Sequence, residues 1–256
     1  MKLFTLFFLM PFYIFCQSNR FVYEYKNIMD TIKSDTIKKL MYLDVYKQGS
    51  IFYDVQNFKN DSIASLHGEK LSQFENRVYK EYPDNISLIT CIYNDIYIVP
   101  DLRKMDWKIL PEKKQINKYM TQKATLNFAG RMWTAWFSTD IPISDGPYKF
   151  HGLPGLILKL QNNNSTHIFE LVAVEKVNGT LSKKTTNQKL LTIDDKTYRK
   201  LYREYRENPT KNLIGIDISE TQDGKTSNDF KKNMQKYYKS KLKKDNNVIE
   251  IDLLKN

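Results

Sequence analysis

Between positions 140 and 151 the chain gathers most of the groups that could do chemistry: Asp140, Asp145, Tyr148, Lys149 and His151. A histidine beside a carboxylate is the usual means of moving a proton, so His151 with Asp140 or Asp145 defines a hydrolase hypothesis. Two carboxylates could also divide acid and base roles or bind calcium. No third oxygen cluster at suitable spacing accompanies them, so capping of the turn around Pro142 is the expected role of both aspartates. Ser138 and Ser144 lie outside any Gly-x-Ser-x-Gly turn, and there is no phosphate-binding loop or dinucleotide fingerprint. Three histidines and two cysteines leave no basis for a zinc centre. We therefore expect no catalytic residue, no metal and no cofactor.

The remaining residues of interest are binding groups. Asp145-Gly146-Pro147 and Leu153-Pro154-Gly155 are turn signals flanking Tyr148-Lys149-Phe150, so the segment should form a fixed loop before a strand at residues 156–160. Such a loop either holds the fold together or presents Tyr148, Lys149 and His151 to a ligand. Trp107, Trp133 and Trp136 are packing residues or line a groove. Strand alternation puts Trp133 and Phe137 on one face and Trp136 on the other, where an open concave surface would favour an apolar ligand. Near the C-terminus Lys231, Lys232, Lys236, Lys239, Lys241, Lys243 and Lys244 interleave with Phe230, Met234, Tyr237, Tyr238 and Leu242. Wound as a helix over residues 228–246, that stretch is amphipathic and suits an anionic membrane surface better than nucleic acid if the chain is exported.

Export is what the start of the chain predicts. Lys2 precedes an apolar run to Phe15, too short for a membrane span and typical of a secretory signal peptide cleaved after Cys16. The bulky Tyr13-Ile14-Phe15 argues against a lipoprotein. Removing residues 1–16 takes one lysine, so the net charge passes from 40 − 29 = +11 to 39 − 29 = +10. Cys91 is then the only cysteine, which excludes an internal disulfide. Buried in a strand, it would be an inert apolar residue.

The 256 residues, 41% hydrophobic and 13% aromatic, suffice for one large domain over residues 17–256. Apolar alternation predicts strands at residues 20–29, at 41–45 and 51–55 on either side of Gly49-Ser50, and at 86–93 and 96–99. Further strands are expected near 107–110, and at 116–128, 131–139, 156–161 and 167–177. Ala129-Gly130 and Asn178-Gly179 read as hairpin turns. Leu71, Phe74, Val78 and Tyr82 have helical spacing. Tyr198, Leu201, Tyr202 and Tyr205 define a second helix opened by Asp194 and Asp195, and residues 248–253 suggest a last strand. The expected fold is α+β but mainly β: one large curved or partly closed antiparallel sheet with a few flanking helices.

Gly152-Leu153-Pro154-Gly155-Leu156-Ile157, preceded by Gly146 and Pro147, resembles the signature of the GLPGLI family, secreted proteins of Bacteroidota with no established biochemical role. Asp106-Trp107-Lys108-Ile109, Gly130-Arg131, Trp133, Ala135-Trp136 and Ile141-Pro142 agree with that family in order. Asn247-Val248-Ile249-Glu250 resembles its ending, with Val248 where proline is usual, and Thr121 stands where the family often has cysteine. The resemblance implies location more than activity. By analogy the sheet is similar to that of periplasmic lipoprotein carriers. The expected role is thus an exported, non-enzymatic envelope binding or accessory protein, holding an apolar ligand or a protein partner through Trp136, Tyr148, Lys149 and His151. The alternatives are the hydrolase and a structural component attached through the basic tail.

Overall fold

The computed structural model describes residues 18–33, 35–56, 59–60, 76–93, 95–177, 189–213 and 227–255. The apolar leader and the Asn178-Gly179 turn lie outside them. Among the described residues twelve strands form one sheet: β1 (Ser18–Ile28), β2 (Thr36–Val45), β3 (Gly49–Asp54), β4 (Arg77–Glu81), β5 (Asn85–Ile92), β6 (Asp95–Asp101), β7 (Lys108–Ile116), β8 (Tyr119–Phe128), β9 (Arg131–Ser138), β10 (Leu156–Asn162), β11 (His167–Val177) and β12 (Leu190–Thr192). The order is β12-β6-β5-β4-β3-β2-β1-β11-β10-β9-β8-β7. The sheet is open, with β12 and β7 at its edges. Every pairing is antiparallel except β12 with β6, because short turns join most neighbours.

Alternation decides which face each side chain occupies. On β9, Trp133, Ala135 and Phe137 are buried, while Met132 is exposed and Trp136 half-buried. One large core runs from Phe21, Tyr23 and Leu43 through Val78 and Leu88 to Trp133, Phe150 and Leu160. Ile51, Tyr53, Tyr79, Ile89 and Ile96 make a smaller cluster on the opposite face of β3–β6. That half of the sheet is therefore apolar on both sides. The Ala129-Gly130 turn has positive φ at both residues (53° and 78°), as a two-residue hairpin matching the strand twist requires.

Helix α1 (Asp195–Glu207) forms where the aromatic spacing predicts it. The Asp194 carboxylate caps it by accepting from the Thr197 amide at 2.8 Å, and Tyr198, Leu201, Tyr202 and Tyr205 pack against the core. Helix α2 (Ser227–Lys244) is the lysine-rich segment. Among the described residues no helix is long and apolar enough to cross a membrane.

Three local expectations need correction. Residues 77–81 are strand β4 rather than part of a helix, residues 71–75 lying outside the described residues. Val78 and Lys80 enter the main core side while Arg77 and Tyr79 are buried on the other, so period two governs here. Gly49 is the first residue of β3, and the turn before it closes with the Tyr46 amide on the Gly49 carbonyl at 2.8 Å. Residues 248–253 are not a strand: Ile251–Leu254 is a short 3-10 turn. The Arg131 guanidinium donates to the carbonyls of Val248 (2.7 Å) and Ile249 (3.1 Å), so a side chain meets the hydrogen bonds a neighbouring strand would have met.

Candidate functional site

The loop between β9 and β10 is built inward. Phe150 is fully buried, 4.8 Å from the Trp133 ring and 5.4 Å from the Phe128 ring. Trp107 Nε1 donates to the His151 carbonyl at 2.7 Å, and His151 Nδ1 lies 3.0 Å from the Lys149 carbonyl. Gly152 sits at φ +90°, a left-handed conformation that favours glycine. Gly155 is needed for close approach: a Cβ there would stand 2.1 Å from the Ser138 carbonyl oxygen at the end of β9. Ile157 returns to the sheet with its amide on the Asp145 carbonyl (3.0 Å) and its carbonyl accepting from the Tyr23 hydroxyl (2.7 Å). The two glycines of the Gly-Leu-Pro-Gly segment thus have distinct steric reasons.

Two buried ionic clusters anchor this loop. In the first, Asp145 pairs with the Lys80 ammonium of β4. Its other contacts are the Gly146 amide (2.6 Å), the Ser50 hydroxyl (2.5 Å) and the Tyr82 hydroxyl (2.6 Å). Lys80 also donates to the carbonyls of Gly146 (2.6 Å) and Phe150 (3.3 Å). Burial pushes the Lys80 ammonium down from its usual range, and Asp145 opposes that shift. In the second cluster, Lys149 bridges Asp101 (2.8 Å) and Glu250 (2.5 Å), Arg103 bridges the same two carboxylates (2.5 and 2.7 Å), and Tyr148 donates to Glu250 at 2.6 Å. Burial works to raise the Glu250 carboxyl, but Lys149 and Arg103 outweigh it and hold the group below the usual carboxylate range. Asp101 is depressed in the same way, burial being outweighed by Arg103 and Lys149.

Tyr148 and Lys149 are therefore buried and engaged with Glu250. His151 is half-buried and bonded within its own loop, Asp140 is exposed, and Asp145 is spent on Lys80 and its neighbours. No hydrogen bond joins His151 to either aspartate among the described residues. Trp136 is half-buried, packs against the margin of the main core, and carries the Lys114 ammonium over its ring at 3.9 Å. Lys123 of β8 and Lys159 of β10 lie across from it in register. The face it shares with them is laced with charge rather than apolar. Cys91 is half-buried in β5, and burial, with the Asp95 charge adding to it, raises its thiol. Among the described residues no group of three His, Cys, Asp or Glu side chains is placed to hold a metal ion.

Sequence reasoning missed Lys80, Asp101 and Arg103. Their partners stand 65 and 147 positions away for Lys80–Asp145 and Arg103–Glu250, so no local spacing announces them. Glu250 was visible only as part of a familiar ending.

One open groove has the size of a ligand site. It encloses about 420 Å³ between the β7–β8 turn (Asn117, Lys118, Tyr119) and Leu171, Val172, Ala173 and Val174 of β11. Val172 and Val174 are 53% and 47% exposed, unusual for valines in the interior of a sheet. Among the described residues the pairing of β11 with β10 covers only Ile168, Phe169 and Glu170, and from Leu171 onward the ladder continues through β1 alone. Val172 is the residue left out at the bulge between Val22 and Tyr23. Asn117 Nδ2 reaches across to the Leu171 carbonyl at 3.2 Å and fixes the near wall.

A family model described as a protein of unknown function (Porph_ging) matches residues 128–159. The match spans β9, the anchored loop and the start of β10, and includes the Gly152–Ile157 motif. The GLPGLI name itself remains a resemblance. No curated protein matches. Among solved structures, PNGF-II in one crystal form aligns with a TM-score of 0.57 at 18% identity, over 74% of this chain and 34% of that one. A second crystal form of PNGF-II gives 0.57 at 17%, over 80% and 37%. The chain spans about a third of the length of those structures, and at this identity the likeness is one of fold.

Proposed function

We propose that this chain is an exported, non-enzymatic binding or accessory protein of the cell envelope. Its occupant would be an extended apolar segment of a partner protein, laid along β11 in the groove under Asn117–Tyr119. The observation that carries this reading is the stretch of β11 beyond Glu170, where exposed valines border a strand that, among the described residues, is paired on one side only. An extended peptide satisfies both features at once: its backbone bonds to the open edge and its side chains cover the valines. The anchored loop then serves as the support that positions β10 and leaves this edge open. A non-enzymatic role is supported by the way Asp145, Lys149 and Glu250 are neutralised by fixed partners, where a general acid or base needs access to substrate. Against the hydrolase reading stand the engagement of Asp145 with Lys80 and, among the described residues, the lack of any hydrogen bond from His151 to Asp140 or Asp145.

The test is native mass spectrometry on residues 17–256 purified from an envelope fraction, beside the Val172→Asp, Val174→Asp double variant. Both valines are half exposed, so the variant should fold. The proposal expects an adduct of discrete peptide mass on the unsubstituted chain and its loss from the variant. An adduct that survives in the variant, or a bare mass for both, would refute it.

A further inference from the structure

Helix α2 carries seven lysines against one acid, Asp229, in 18 residues. Lys232, Lys236, Lys239, Lys241, Lys243 and Lys244 are exposed. Among the described residues none of the seven enters an ion pair, although lysines elsewhere find partners, as Lys123 does with Glu112 and Lys211 with Glu204. Concentrating unpaired like charge on one element raises its self-repulsion unless something outside the chain neutralises it.

The helix is also held in a fixed attitude. Its inner side chains Met234, Tyr238 and Leu242 are half-buried. Arg206 of α1 donates to the carbonyls of Leu242 (2.7 Å) and Asp245 (2.6 Å), clamping the C-terminal end. Just beyond, the Asn246 amide bonds to the Met29 carbonyl at 3.1 Å. With its C-terminal end held in this way, the helix turns its lysine-bearing side outward. Two aromatic residues line the flank of the lysine-bearing side, beside Lys241 and Lys244: Phe230 at 41% and Tyr237 at 61% exposure. They are seven positions apart, two helical turns, and so share one stripe. A phenol and a phenyl ring flanked by ammonium groups is the composition of an interfacial anchor: the charges meet lipid headgroups and the rings enter the headgroup layer.

We propose that the outward face of α2 docks the protein on an anionic phospholipid bilayer. The surface is electrostatic, with Tyr237 and Phe230 setting its depth. The inference is independent of the groove on β11, since it uses none of the same residues. Lipid is favoured over nucleic acid by the exposed aromatic pair along the helix axis and by the apolar leader that predicts export.

The experiment is sedimentation of the chain with vesicles of phosphatidylcholine alone and with roughly one-third phosphatidylglycerol. The test variants are the quadruple Lys232→Gln, Lys236→Gln, Lys239→Gln, Lys243→Gln and the single Tyr237→Ser. All five sites are exposed, so circular dichroism should be unchanged. The expected result is binding to the anionic vesicles only. That binding should weaken at least about tenfold in the quadruple variant and fade as salt shortens the screening length from about 10 Å towards 3 Å. Tyr237→Ser should weaken it by a smaller factor. Equal binding to neutral vesicles, undiminished binding by the quadruple variant, or tighter binding to duplex DNA than to vesicles would overturn the proposal.

Discussion

Asp145→Ala is expected to destabilise the fold by about 3–5 kcal/mol, the range for breaking a buried ion pair from one side. Asp145 is fully buried and Lys80 is 3% exposed. Alanine would leave the ammonium with two carbonyl acceptors and no counter-charge, and would strip the Ser50 and Tyr82 hydroxyls of their acceptor. Total stabilities of domains are typically about 5–15 kcal/mol, so a loss of this size would consume much of the reserve. The double variant Lys80→Met, Asp145→Leu separates charge from packing: replacing both partners by apolar groups is often close to neutral. Urea denaturation should show the double variant more stable than Asp145→Ala. A single-variant change below about 1 kcal/mol would show that the pair is not holding the loop against β4.

Glu250→Gln should cost roughly 3 kcal/mol at neutral pH, the low end of the same range because Asp101 still faces Lys149 and Arg103. The substitution keeps the side chain's shape and removes the charge that balances two cations. It also has a signature in pH. The folded value of Glu250 lies below its ordinary 4.5, so its stabilising contribution is complete above that pH and disappears as pH falls through the folded value. The gap in unfolding free energy between the unsubstituted chain and Glu250→Gln should therefore be constant from pH 7 to about 5 and narrow below it. A gap that persists unchanged into acid would assign the effect to lost shape rather than lost charge.

Much of the architecture was readable because it rests on local patterns. Alternation along residues 131–139 separated Trp133 from Trp136 correctly, and the tyrosine spacing with Asp194 located α1 and its cap. Val78 was misread because its strand is buried on both faces, so Arg77 and Lys80 hide the alternation that marks a half-exposed strand. The last segment was misread because Val248, Ile249 and Ile251 look like a strand, while the Arg131 side chain supplies the hydrogen bonds. Within the motif, Gly152 and Gly155 were recognisable as turn residues. What Tyr148 and Lys149 face was not, since Glu250 arrives from the other end of the chain. The groove on β11 was equally hidden. Its valines read as ordinary strand residues until the register shows where β10 stops accompanying them.

Amide hydrogen exchange along β11 of the purified chain, free of any adduct, tests the binding account most directly. If the edge is open, about half the amides from Val172 to Val177, those directed away from β1, exchange at the rate of unbonded, solvent-exposed amides. Those at residues 168–170, flanked by β1 and β10, stay protected. Uniform protection from His167 through Val177 would mean that the edge is already occupied by the chain itself, and would contradict a docking role for it.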